Sequence, residues 1–393
     1  MNRLSLLSLL LILPFLFACQ NQNSLHTSTH LPSNSLYLDN NFAIPEGFAI
    51  ETEQDIFMLD DEMQAMVARE LKGPAEGHVK AKALIKHIFS KEDMALSYEN
   101  HANLIAREAY HSHKANCISL TIMAFALAEA ADLNVSFQQV DVPEYWVRNG
   151  QYSAQTGHVN LLVKFQNPPS KDIVFGNNNL VIDFDPFVQK KKFKKKTIRK
   201  NTVIAMFYNN KGSEALVEQR YNVAYQYFRA ATKVDSHFSS AWGNLAVLYK
   251  LTDNHQQAEL AYRYAIKISP SNLTALANLA ILLRHQNNLD EAAKIEKKLY
   301  YKRHKNPYYH ALLADEAYFR QNYQQALIHY KDAIALDSKI HEFHFGVAKT
   351  YYQLQHLTKA QKSLKKAMYL TKRDSTEQLY AAKLELLKAQ RTN

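Results

Sequence analysis

The sequence predicts an α+β domain followed by an all-α solenoid of paired helices. Three observations carry that prediction. A period of 34 residues starts at Ala205, an apolar run at 117–131 reads as a buried helix, and segments of strand character follow it at 134–142, 157–165 and 179–187. The 393 residues, 47% hydrophobic and 21% charged, suit more than one folded domain. Nine glycines, with neither a GxGxxG run nor a phosphate-binding loop, set nucleotide chemistry aside.

The chain opens with a basic start at Asn2-Arg3 and an apolar stretch from Leu4 to Phe17, too short to span a bilayer comfortably. The sequence Leu16-Phe17-Ala18-Cys19 that ends it resembles a bacterial lipobox. That resemblance implies a signal peptide over 1–19, lipidation at Cys19 and, with Gln20 following, a place at the outer membrane facing the periplasm. Residues 20–44, whose first half is rich in Asn, Ser and Thr, read as a flexible tether.

If Cys19 carries lipid, Cys117 has no disulfide partner, since the chain holds two cysteines. A thiol at a helix start is favoured as thiolate by the helix dipole and the unpaired N–H groups there. Two strands on, alternation puts His158 on one face with Asn160 and Leu162, opposite Val159, Leu161 and Val163. On the next strand Asp183 and Asp185 share a face, so alternation offers a carboxylate without choosing between them. The order Cys, His, Asp is the one a thiol nucleophile, a base and an orienting acid require.

The pieces "NC.S" before the helix, "VPEYW", "HVN" opening a strand and "IDF" closing the next are similar to bacterial transglutaminase-like proteins of the papain-like cysteine fold. The resemblance covers about 50–190 and sets the domain at 45–189. It implies Cys117 as nucleophile, His158 as general base and Asp183 as orienting acid, with Asp185 as substitute, and acyl transfer through a thioester. Ala115 stands where glycine is expected before "NC". Trp146 and Tyr145 are candidates for a cleft wall. His111 and His113 precede Cys117, but a fourth ligand at recognisable spacing is missing, so no metal and no cofactor is expected.

From 205 to 374 five blocks begin at Ala205, Ser239, Leu273, Pro307 and His341, each with alanine at its twentieth position: Ala224, Ala258, Ala292, Ala326 and Ala360. The block from Ser239 also carries Trp242, Leu245, Tyr249, Tyr262, Ala265 and Pro270. This pattern resembles tetratricopeptide repeats, which implies a groove for a protein or peptide partner. Residues 375–393, amphipathic through Leu379, Leu384 and Leu387, read as a capping helix. Between the domains, 190–204 reads as a linker in which Lys190 to Lys200 holds eight basic residues in eleven. In an exported chain that run suits an anionic membrane surface better than nucleic acid, for which no aromatic-interleaved basic surface exists. The function expected is an envelope-anchored cysteine peptidase or amide hydrolase whose repeats hold a substrate or partner. The alternatives are a non-catalytic scaffold lipoprotein and a cross-linking acyltransferase.

Overall fold

The computed structural model describes residues 33–72, 77–90, 97–99, 102–149, 152–164, 179–184, 193–371 and 374–392. The expected signal peptide, Cys19, Asp185 and the first part of the expected tether lie outside them. Two compact units are present, 1–36 and 37–393. In the first, the described residues form a single 3-10 turn, Ser33–Leu36.

The second unit begins with helices α1 (Glu53–Phe57), α2 (Asp61–Met66), α3 (Gly77–Phe89), α4 (Ala106–Ser112) and α5 (Cys117–Ala130). Strands β1 (Ser97–Tyr98) and β2 (Lys114–Ala115) pair in parallel. A four-stranded antiparallel sheet follows, with strands β3 (Asn134–Asn149), β4 (Tyr152–Lys164), β5 (Asn179–Ile182) and β6 (Lys195–Ile198) in the order β5-β4-β3-β6. Helix α5 is apolar on every side, and all of 117–128 is buried. Phe125 explains how: it meets Phe57 of α1 edge-on at 5.5 Å and stacks on Phe137 of β3 at 4.3 Å, so the helix lies between a helical layer and the sheet.

The sheet departs from the expected strands in two places. β3 runs to Asn149 instead of stopping at 142, because a register shift between Val140 and Tyr145 accommodates Pro143, which has no N–H for the ladder. The expected basic linker is in part an edge strand. Lys195–Ile198 pairs with Phe137–Val140 of β3, and its exposed lysines discourage another chain from pairing there.

Helix α6 (Lys200–Val217) starts before the expected Ala205 and pairs with α7 (Tyr221–Val234). The pairs α8 (Ser239–Leu251) and α9 (His255–Ile268), α10 (Leu273–His285) and α11 (Leu289–Arg303), α12 (Pro307–Phe319) and α13 (Tyr323–Leu336), and α14 (His341–Gln353) and α15 (Leu357–Leu370) complete the array. All five twentieth-position alanines are fully buried, which lets paired helices approach closely. The backbone repeats too: Gln219, Asp253, Asn287, Gln321 and Gln355, one in the turn inside each helix pair, have φ between 59° and 62°. Helix α16 (Asp374–Thr392) closes the stack through Tyr380, Leu384 and Leu387; Leu379, expected inside, points to water, and Tyr380 stacks on Phe345 in its place.

Among the described residues the two regions share one apolar core. Val203, Ile204, Phe207 and Tyr227 of the first repeat belong to the same apolar core as α5 and the sheet. The segment before residue 44 is not a free tether along its whole length. Phe42 stacks on Tyr225 at 4.5 Å, Tyr37 stacks on Trp242 at 5.6 Å, and Asp39 accepts hydrogen bonds from Tyr225 and Arg229. Aromatic area on the first two repeats outweighs the entropy of that polar stretch.

Close packing makes repeat glycines sensitive, Gly346 among them. A Cβ on Gly346 would lie 2.3 Å from Cε1 of Tyr330, a buried ring whose hydroxyl is tied to Asp315. Gly346→Ala is expected to destabilise the chain by roughly 1–3 kcal/mol through overpacking. An unchanged urea midpoint would show that the ring moves aside freely.

Candidate functional site

Asn116 starts α5 as its N-cap, its side-chain oxygen accepting from Ser119 N at 3.0 Å. Cys117 is therefore the first helical residue, not the cap. Strand β4 runs beside it and brings His158 to the sulfur, with Sγ and Nδ1 3.5 Å apart. The thiol also reaches the Val159 carbonyl at 3.2 Å. At the end of β5, Asp183 Oδ1 accepts from His158 Nε2 at 2.8 Å. All three are nearly enclosed, with Cys117 at 8%, His158 at 4% and Asp183 at 4% exposure. The imidazole presents Nδ1 to the sulfur and Nε2 to the carboxylate.

Asn160 is the member that sequence reasoning left without a role. It donates from Nδ2 to Asp183 Oδ2 at 2.8 Å, so the carboxylate is held from both oxygens. The signal was available, since alternation already put it on the face of His158. A second buried set fixes the helix start: Asn116 donates to Asn103 Oδ1 at 3.3 Å, and Asn103 donates to the Phe207 carbonyl of α6 at 3.0 Å. The site is thus wired to the first repeat.

Burial alone would favour a neutral His158, but hydrogen bonds and charge from Asp183 and Cys117 outweigh it and push its pKa up from 6.5 to about 10. A group held more protonated in the fold stabilises it fully below its ordinary pKa and loses that contribution as pH rises. The stability advantage of the wild type over His158→Gln is therefore expected to be full below about 6.5 and to fade towards about 10, as read by urea unfolding across that window. An advantage that grows with pH contradicts this protonation.

The other expected neighbours are elsewhere. His111 pairs with Asp60, Nε2 to Oδ2 at 2.6 Å, and His113 is the exposed, left-handed residue ending α4 (φ 54°), so the two do not share a ligand set with Cys117. Tyr145 and Trp146 do not wall the sulfur; they lie against the fourth repeat, with ring centroids 5.8 Å from Tyr308 and 6.5 Å from Tyr309. There Glu144 takes two hydrogen bonds from Arg303, each 2.8 Å, and Arg303 lies over Trp146 at 4.9 Å.

Residues 209–272, 252–316 and 341–374 match models described as tetratricopeptide repeat, so the C-terminal region is a tetratricopeptide repeat array. No transglutaminase-like match accompanies them. No curated protein matches the chain. Among solved structures, similarity is found to the APC/C hetero-tetramer Cut9-Hcn1 (19% identity, 48% of this chain, 37% of that chain, TM-score 0.30). It is found also to TTC0263, a thermophilic TPR protein of Thermus thermophilus (18%, 46% and 99%, TM-score 0.32), and to YrrB, described as a TPR protein with an unusual peptide-binding site (18%, 46% and 92%, TM-score 0.25). The match thus spans little more than a third of the first of these chains.

Proposed function

We propose that the chain is a protein-interaction scaffold whose repeat array binds a protein or peptide partner, with the N-terminal α+β region fastened to it. The observation that carries this reading is the array itself, which leaves Ile281, Tyr300, Tyr301, Phe319 and Ile328 in water on its middle repeats. The chain's own β3 already covers part of α12, so the partner uses the surface that remains. A photoreactive residue in place of Phe319 should give one defined adduct in envelope extracts, lost when Tyr300 and Tyr301 become serine. An equal adduct from Leu386 on the capping helix would sink the proposal.

A second reading is favoured by one observation, the alignment of Cys117, His158 and Asp183: the N-terminal region acts as a transglutaminase-like cysteine enzyme of the papain-like fold. With its proton already held on His158 Nδ1, Cys117 Sγ attacks an amide carbonyl as thiolate, and a C–S bond forms. In this reading the start of α5, where helix N–H groups lack helical acceptors, supplies charge stabilisation to the developing oxyanion. Collapse breaks the C–N bond and the imidazolium protonates the leaving amine. Water then hydrolyses the thioester, or an amine takes the acyl group. In this reading the anchor at Cys19 holds the protein at the outer membrane, supported by Leu16-Phe17-Ala18-Cys19, with the lysines of 190–200 adding attraction to anionic lipid.

A further inference from the structure

The fourth repeat brings together three ligand-type side chains that neither the scaffold nor the cysteine site uses. His310 projects from α12, and His329 and Asp332 lie one turn apart on α13. Nδ1 of His310 and Nδ1 of His329 each lie 3.9 Å from Asp332 Oδ2, and the three ligand atoms lie within 4.8 Å of one another. Both Nδ1 atoms are shielded from water and have no hydrogen-bond partner among the described residues. Two such nitrogens converging on one carboxylate oxygen form a donor set suited to an electrophile held between them.

The outer contacts fit the same conclusion. His310 donates from Nε2 to the His304 carbonyl at 2.9 Å, which fixes the tautomer that leaves a lone pair on Nδ1. His329 Nε2 lies 2.9 Å from the terminal nitrogen of Gln325. A flip of that amide presents its oxygen instead, and His329 then donates from Nε2 and frees Nδ1 in the same way. Two imidazoles and a carboxylate, with no thiolate, suit a borderline first-row divalent ion. Metal–nitrogen bonds of about 2.0–2.1 Å in tetrahedral geometry put ligand atoms about 3.3 Å apart, a small contraction by side-chain rotation.

We propose that His310, His329 and Asp332 form a binding site for a divalent first-row metal ion, Zn2+ by donor type. Three protein ligands leave a fourth position for water or for a side chain of a partner. The ion joins the two helices of the repeat whose first helix, through Tyr308 and Tyr309, receives β3.

Metal-stripped full-length protein carrying Cys117→Ser, so that the thiol does not compete, is titrated with Zn2+ by calorimetry. One site per chain with Kd below about 100 µM is expected, weakened at least tenfold in His310→Gln and in His329→Gln. A readout that needs no histidine variant accompanies it: Zn2+ protects His310 and His329, but not the exposed His356, from diethyl pyrocarbonate as mapped by mass spectrometry. No site tighter than that limit, unchanged affinity in the variants, or equal modification of His310 and His329 with and without Zn2+ overturns the proposal.

Discussion

His158→Ala is expected to slow acylation of Cys117 by an activated acyl ester by roughly 10²–10⁴-fold, the range that a positioned base contributes. The enzyme reading requires this, because the ring nitrogen 3.5 Å from sulfur is the proton acceptor. Asp183→Asn should slow it by about tenfold or more, since the ring loses the carboxylate that orients Nε2 and stabilises its charged form. The label is read by mass spectrometry on the peptide carrying Cys117, with Cys117→Ser as the blank. Equal rates in wild type and His158→Ala would leave the scaffold as the surviving function, and partner binding by the repeats would be unaffected by that outcome.

Glu144→Ala should destabilise the chain by about 3–5 kcal/mol, because it strands Arg303, whose side chain is only 5% exposed, without its counter-charge. The loss should fall on the contact between β3 and the fourth repeat. Asn306 reaches the Glu144 carbonyl there at 2.7 Å, a bond that survives the substitution but no longer has an ion pair beside it. The double variant Glu144→Ala with Arg303→Met should recover most of the stability, since apolar packing of similar volume replaces a buried ion pair at little cost. Urea unfolding measures both. A single variant within about 0.5 kcal/mol of wild type would mean that water enters this contact freely.

The two regions differ in how far their residues announce themselves. Every repeat is a local unit of two helices, so its alanines, its turns and its length recur along the chain, and four of the five block starts coincide with helix starts. The exception is instructive. α6 begins at Lys200 because its first turn packs Val203 and Ile204 into the core under α5, a contact that no repeat periodicity encodes. Strand alternation likewise put His158 and Asn160 on one face, whereas the contact of Asp183 with His158 rests on where β5 ends relative to β4.

What the sequence by itself determined is therefore the local and the periodic: the array, the all-apolar helix behind Cys117, and the residue types of the site in their order. Only the tertiary structure decided what distant segments do to one another. It turned part of a lysine-rich stretch into an edge strand, laid Tyr37 to Phe42 on the repeats, and gave Tyr145 and Trp146 to the fourth repeat instead of to the sulfur. It also brought His310 beside His329 and Asp332 from the facing helix. The physical reason is common to all four. Hydrogen-bond period and side-chain alternation act over a few residues and leave a pattern in the chain, whereas the burial of aromatic rings and the pairing of buried charge depend on which surfaces meet.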